Sequence, residues 1–316
     1  MERRRRGSAK PNSSLLTVAV AFAANLLIAV AKSVAAALTG SASMLAEAAH
    51  SWADAGNEIL LFFAERRSDR ARDAAHPLGF GREAYVWSMF AAFGLFTAGA
   101  VVSISHGISE LRHPEPATDF VVAYVVLGIA FVLEGISFLQ ANRQARRRAA
   151  QRGVDTLEHI WSTSNPTLRA VFAEDAAALI GLVIAAAGVA LHQITGSAIP
   201  DAIGSLLVGA LLGVIAVVLI DRNRRFIVGQ AVDPEVRSEV LRQLLDRPEI
   251  DKISYLHLEF VGPGRLFLVA AVDLRGDDVE SSLAVRLRRI ERQLEERNEI
   301  EEAVLTLATP DEPALN

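Results

Sequence analysis

One stretch, MLAEAAHSWADAGNEILLFF, sets Glu47, His50, Asp54, Asn57 and Glu58 in otherwise apolar sequence. On a helix His50, Asp54 and Asn57 fall at i, i+4 and i+7, so they share one face. Glu47 and Glu58 extend that stripe by a turn each way. An imidazole nitrogen beside carboxylate oxygens offers one ion a mixed donor set. Tetrahedral zinc accepts that mixture, and with no sulfur in the set other first-row divalent ions fit it too. A packing stripe of hydrogen-bonded polar groups would use the same residue types. Ionised side chains facing lipid are strongly disfavoured, however, and such groups usually mark an ion path.

A second acidic pair lies in AVFAEDAAALIGLVIAAAG, where Glu174 and Asp175 are adjacent. Neighbours on a helix point about 100° apart, so one can face a site while the other faces another helix. The alternative is a solvated pair at a membrane edge. Small residues around them allow helices to approach closely. Lys32 and Glu134 are expected to pair with each other or with a site carboxylate, and Asn25 to bond between helices. Asp201 and His192 lie near the outer ends of their segments, where solvation is expected to account for them.

These residues need long apolar elements to hold them. The chain has 316 residues, about half of them hydrophobic, and a mean hydropathy of +0.29. A span takes roughly 20 mostly apolar residues. Six segments fit, near 14–38, 44–64, 84–109, 119–141, 168–193 and 199–220. Basic residues crowd the N-terminus (Arg3 to Arg6, Lys10) and three connections. These hold Arg66, Arg67, Arg70, Arg72 and Arg82, then Arg143, Arg146, Arg147, Arg148 and Arg152, then Arg222, Arg224 and Arg225. By the positive-inside rule both termini and these connections are expected in the cytoplasm. The basic N-terminus reads as a retained tail rather than a cleaved signal.

From Ala231 onward 11 Lys/Arg face 19 Asp/Glu, against 21 and 18 before it. That shift marks a separate region. Its helical and alternating segments run αββαβ, with GPG as a hairpin turn. The expected fold is an α-helical membrane protein of six transmembrane helices with a C-terminal cytoplasmic α+β domain. The divisions are a basic tail over 1–13, the membrane domain over 14–228, the small domain over 229–309 and a tail over 310–316. With no cysteine, disulfides, thiolate metal sites and Cys nucleophiles are excluded.

Taken together, HSWAD in the second span, an Asp in the fifth and HPLGFGRE before the third resemble the cation diffusion facilitator family across about 12–309. The resemblance implies a homodimeric metal-ion/proton antiporter with a ferredoxin-like tail. It is a secondary transporter rather than an enzyme, with no cofactor and no nucleic-acid partner. It places His50, Asp54 and Asp175 as metal ligands. Val171 stands where the family usually has a fourth ligand, which leaves Glu174, Asn57 or water to complete the shell. A loop site would retain Asp73 and His76 but has Phe80 in place of its second His. The tail has only His257, so a solvated surface is expected there. Zinc is the expected cargo, with Mn2+, Fe2+, Co2+ and Ni2+ as alternatives. The expected location is a multi-pass place in a bacterial plasma membrane. The rival readings are a non-transporting membrane scaffold and a carrier of organic cations. The latter would need an aromatic-lined pocket, and only 6% of residues are aromatic.

Overall fold

The structure, a computed structural model, describes residues 11–114, 119–276 and 278–315. The first ten residues of the basic tail and the middle of the loop RHPEPATD lie outside the described residues.

Among the described residues eight helices come first. They are α1 (Pro11–Thr39), α2 (Ala42–Ser68), α3 (Glu83–Ala91), α4 (Thr97–Arg112), α5 (Phe120–Arg152), α6 (Thr156–Ser162), α7 (Pro166–Thr195) and α8 (Ile199–Val228). A π turn, Ala92–Phe96, joins α3 to α4 into one rod. That rod, α5, α7 and α8 are long and apolar enough to cross a membrane. Hydropathy does not single out α2, because its polar stripe lowers the average. At about 1.5 Å per residue, its 27 residues still exceed a ~30 Å hydrocarbon core.

The chain packs as two compact units. One takes in the chain up to Leu60 with Phe90–Arg148 and Ala170–Ile220. The other takes in Leu61–Met89, Ala149–Arg169 and Asp221–Asn316. The division therefore falls within helices rather than at one linker.

In the first unit Ala35, Met44, Leu127, Leu182 and Val189 form a core between α1, α2, α5 and α7. The opposite face of α5 exposes Val121, Val125, Ile129, Val132 and Ile136, as a lipid-facing helix does. Asp201 departs from expectation: it is 1% exposed and anchors the start of α2. Its carboxylate accepts from Ala42 N at 2.8 Å and from Ser41 Oγ at 3.0 Å. This covers the positive end of the α2 dipole. Ser43 Oγ donates to the Asp201 carbonyl at 2.8 Å, and it fills the space a Cβ would need at Gly188 or Gly204. His192 is likewise buried, with its ring edge-on to Phe120 at 5.7 Å. Both residues sit against neighbouring helices, so their polar groups are not solvated as the sequence reading expects.

In the second unit α9 (Pro234–Leu245) opens with proline in its first turn, where a missing N–H costs nothing. It leads to β1 (Ile250–Gly262), β2 (Arg265–Leu274), α10 (Glu280–Glu295) and β3 (Ile300–Leu307). The sheet order is β1-β2-β3, with β1 antiparallel to β2 and β2 parallel to β3. Ala231 adds an isolated bridge to Glu259. Leu256, Leu258, Leu268 and Val272 pack with Leu244, Ile290 and Leu294 in the core. Away from the sheet, Arg169 is buried and donates to Thr163 O at 2.9 Å and Asn223 Oδ1 at 2.8 Å. Asn223 in turn donates to Ser88 Oγ at 3.0 Å. This network ties the ends of α3, α7 and α8 within the unit.

Candidate functional site

The stripe of α2 points inward. Glu47, His50 and Asn57 are buried, and Asp54 is nearly so. His50 Nε2 stands 3.6 Å from Asp54 Oδ2, one helical turn away. Neither ring nitrogen of His50, nor Asp54 Oδ1, has a hydrogen-bond partner among the described residues. An imidazole and a carboxylate oxygen left this way inside a bundle are costly unless something else satisfies them.

Three neighbouring helices complete the surroundings. From α1, Lys32 Nζ donates to Glu47 Oε2 at 2.9 Å with both side chains fully buried. Lys32 therefore pairs with Glu47 and not with Glu134. Gly181 of α7 lies against this pair, and a Cβ there would collide with Glu47 Oε1. Also from α1, Asn25 Nδ2 donates to Glu58 Oε1 at 2.7 Å, the expected interhelical bond. From α7, Glu174 accepts a hydrogen bond from Asn57 Nδ2. Asp175 turns instead to α5, where its Oδ2 accepts from Ser137 Oγ at 2.9 Å. Adjacency on the helix separates the two carboxylates, with Glu174 toward α2 and Asp175 toward α5. Val171 is partly buried one turn before Asp175 and offers no donor atom.

The charges do not balance locally. The carboxylates of Glu174, Glu134 and Asp175 all repel a charge on Asp54, and Lys32 opposes them. Glu58 and Glu134 act on Glu174 in the same way. Lys32 already holds Glu47. Among the described residues, no three His, Asp or Glu side chains converge closely enough to hold a metal ion. The arrangement is a set of pairs, His50–Asp54 and Asn57–Glu174, with Asp175 on Ser137.

The loop pair is of another kind. Asp73 Oδ1 accepts from Ala75 N at 3.0 Å and His76 N at 2.8 Å, and His76 Nδ1 lies 3.0 Å away. The His76 hydrogen bond holds Asp73 below the usual carboxylate range. Phe80 stacks on His76 at 4.1 Å, and the Arg70 guanidinium lies over Phe80 at 4.3 Å. The position that lacks a second His is filled by this ring. In the tail, His257 lies 3.5 Å from Glu259.

The sequence reading missed Asp201 and the Arg169–Asn223–Ser88 network. Burial of a polar residue at a segment's end cannot be told from solvation by position alone. The SAS run facing Asp201 was the available signal, since Ser41 and Ser43 are helix-capping residues.

Residues 18–227 match the family model described as the cation efflux transmembrane domain. The chain belongs to this cation efflux, or cation diffusion facilitator, family, and it is an integral, multi-pass membrane protein of a class that moves cations rather than catalysing reactions. It is similar to metal tolerance protein C4 of Arabidopsis thaliana, 39% identical over 248 residues, covering 78% of this chain and 54% of the relative. It is also similar to the mitochondrial proton-coupled zinc antiporter SLC30A9 of Mus musculus, 34% identical over 285 residues, covering 87% and 50%. Magnetosome protein MamB of Paramagnetospirillum magneticum is 21% identical over 283 residues, covering 89% and 90%. The chain spans about half the length of the first two relatives.

Proposed function

We propose that this chain exports a divalent metal cation, zinc first among the candidates, in exchange for protons. The observation that carries the reading is a set of acids enclosed in the bundle, Glu47, Glu174, Asp175 and the nearly buried Asp54, of which only Glu47 is paired with Lys32. Either protons or a bound cation must neutralise such a group of acids. A site that must hold one or the other exchanges them, because metal loading requires deprotonated ligands. His50 adds an imidazole, a common ligand for divalent metals in its neutral form. The similarity to a proton-coupled zinc antiporter supports the same reading.

In this scheme His50 and Asp54 hold the ion, and Glu174, Asn57 and Asp175 complete its shell as the helices rearrange. Alternating access then opens the site to one side and the other across six spans. The 14–228 region forms the membrane domain, and both termini lie on the cytoplasmic side of a bacterial plasma membrane. The 229–309 domain joins two copies. The scattered pairing of the acids is the one feature that favours a non-transporting scaffold instead. Zinc flux into proteoliposomes, with and without a pH gradient, decides between them. Transporter activity requires gradient-dependent uptake that Asp54→Ala abolishes, and gradient-independent or absent uptake would overturn the proposal.

A further inference from the structure

A cavity of about 250 Å³ lies where α8 leaves its apolar run, on the side of the basic connections. Trp161 and Ser162 of α6 line it together with Arg222 and Arg225 of α8, and Glu158 and Asp233 add two carboxylates to the wall. All these residues belong to the second unit. Two of the charges are already matched. Arg225 reaches Asp221 at 2.8 Å, and Asp233 has a partner of its own. The Arg222 guanidinium instead lies over the Trp161 ring, 5.7 Å from its centroid. Among the described residues neither Arg222 nor Glu158 makes a hydrogen bond or an ion pair, and the Trp161 indole N–H and the Ser162 hydroxyl are likewise uncommitted. The wall therefore offers one unmatched cation, one unmatched anion and two neutral donors. Apolar side chains flank it. Leu157 is exposed one turn before Trp161, and Val228 is exposed one turn after Arg225. Arg222 closely follows an apolar run that ends at Ile220. Arginine and tryptophan at that level are common anchors at a membrane interface.

We infer that this cavity binds the headgroup of a zwitterionic phospholipid of the phosphoethanolamine class. The phosphate accepts from Arg222, from Trp161 Nε1 and from Ser162 Oγ, and the ammonium donates to Glu158. Hydrogen bonds to ionised groups are the strong ones, and a guanidinium fork matches phosphate oxygens. One unmatched charge of each sign fits a headgroup that carries one of each. An anionic phosphoglycerol headgroup would leave Glu158 uncompensated beside it. A trimethylated choline would bring Glu158 no N–H. The acyl chains leave past Leu157 and Val228, which a free phosphate ester would leave bare. This binding does not rest on the transport reading.

The test uses the full chain in detergent. Phosphatidylethanolamine, phosphatidylcholine and phosphatidylglycerol with the same acyl chains are offered in competition, and the lipid retained per chain is read by native mass spectrometry. Phosphatidylethanolamine should be retained about tenfold better than either competitor. Arg222→Gln should cut its retention about tenfold, and Arg222→Lys, which keeps the charge without the fork, should cut it less. Glu158→Gln should abolish the preference over phosphatidylglycerol while binding still depends on Arg222, a change that loss of structure would not produce. Should Arg222→Gln fail to give monodisperse protein, Arg222→Lys and Glu158→Gln carry the same comparison. Free phosphoethanolamine should displace the lipid only in large excess. Displacement at equal concentration would make the ligand a soluble phosphate ester and overturn the lipid assignment. Equal retention of all the lipids, or retention indifferent to these substitutions, would overturn the site.

Discussion

The protein holds two histidine–aspartate pairs in different settings. In α2 His50 Nε2 stands 3.6 Å from Asp54 Oδ2, and neither ring nitrogen nor Asp54 Oδ1 has a hydrogen-bond partner among the described residues. In the loop after α2 His76 Nδ1 stands 3.0 Å from Asp73 Oδ1, which also accepts from two backbone N–H groups. The first pair is enclosed by neighbouring helices and the second is about half exposed. The same two residue types can chelate in either place. The surroundings decide whether their donor atoms are left for an ion or are spent on a turn.

The comparison breaks most decisively at Asp54. Asp54→Ala should cut zinc flux in proteoliposomes about a hundredfold or more, beyond the 10- to 100-fold typical of a residue that only supports a ligand. It should leave thermal unfolding in detergent unchanged or raised, because it relieves repulsion from Glu174 and Glu134. A fall in both flux and Tm would make the stripe a structural one. Next comes the choice within the α7 pair. Glu174 faces α2 and Asp175 faces Ser137, so Glu174→Gln should reduce flux about a hundredfold and Asp175→Asn about tenfold. The reverse order would mean that α7 turns before the ion binds.

Lys32 separates charge pairing from ion handling. Removing it strands Glu47 in the bundle, and breaking a fully buried pair typically costs about 3–5 kcal/mol. Lys32→Met should therefore lower Tm sharply, and adding Glu47→Gln should recover most of the loss. Gly181→Ala probes the same place from α7. Its Cβ meets Glu47 Oε1, and overpacking of this kind costs about 1–3 kcal/mol. If Lys32→Met is harmless to stability yet abolishes flux, Lys32 belongs with the transport machinery.

Much of this was legible beforehand. Helices at six apolar segments, the αββαβ order and the inward-facing α2 stripe follow from local periodicity. Local periodicity could not reach the partners. Whether Glu174 or Asp175 meets α2 depends on the rotation of α7, which no spacing within α7 specifies. Lys32 had several possible acids, and only the placement of α1 against α2 selects Glu47. Asp201 shows the same limit, since an acid at a helix end has the same sequence whether water or another helix's N–H groups surround it.

The smallest expected effect belongs to the remaining histidine–aspartate pair, in the loop. Asp73 and His76 lie 3.0 Å apart and are both about half exposed, whereas His50 and Asp54 are enclosed. Asp73 already accepts two backbone N–H groups, so its oxygens serve a turn rather than a vacant donor position. His76 holds the Asp73 pKa below its ordinary value. The stability this lends the turn is present above the unfolded carboxylate pKa of about 3.9 and fades only as pH falls through the depressed folded value. Between pH 5 and 8 Asp73 stays ionised and should have no part in proton exchange. Asp73→Ala should thus leave zinc flux within about twofold of the parent chain, with an unaltered pH profile. A profile shifted by Asp73→Ala would move proton coupling out of the bundle and into the loop, reversing the contrast between the enclosed pair and the exposed one.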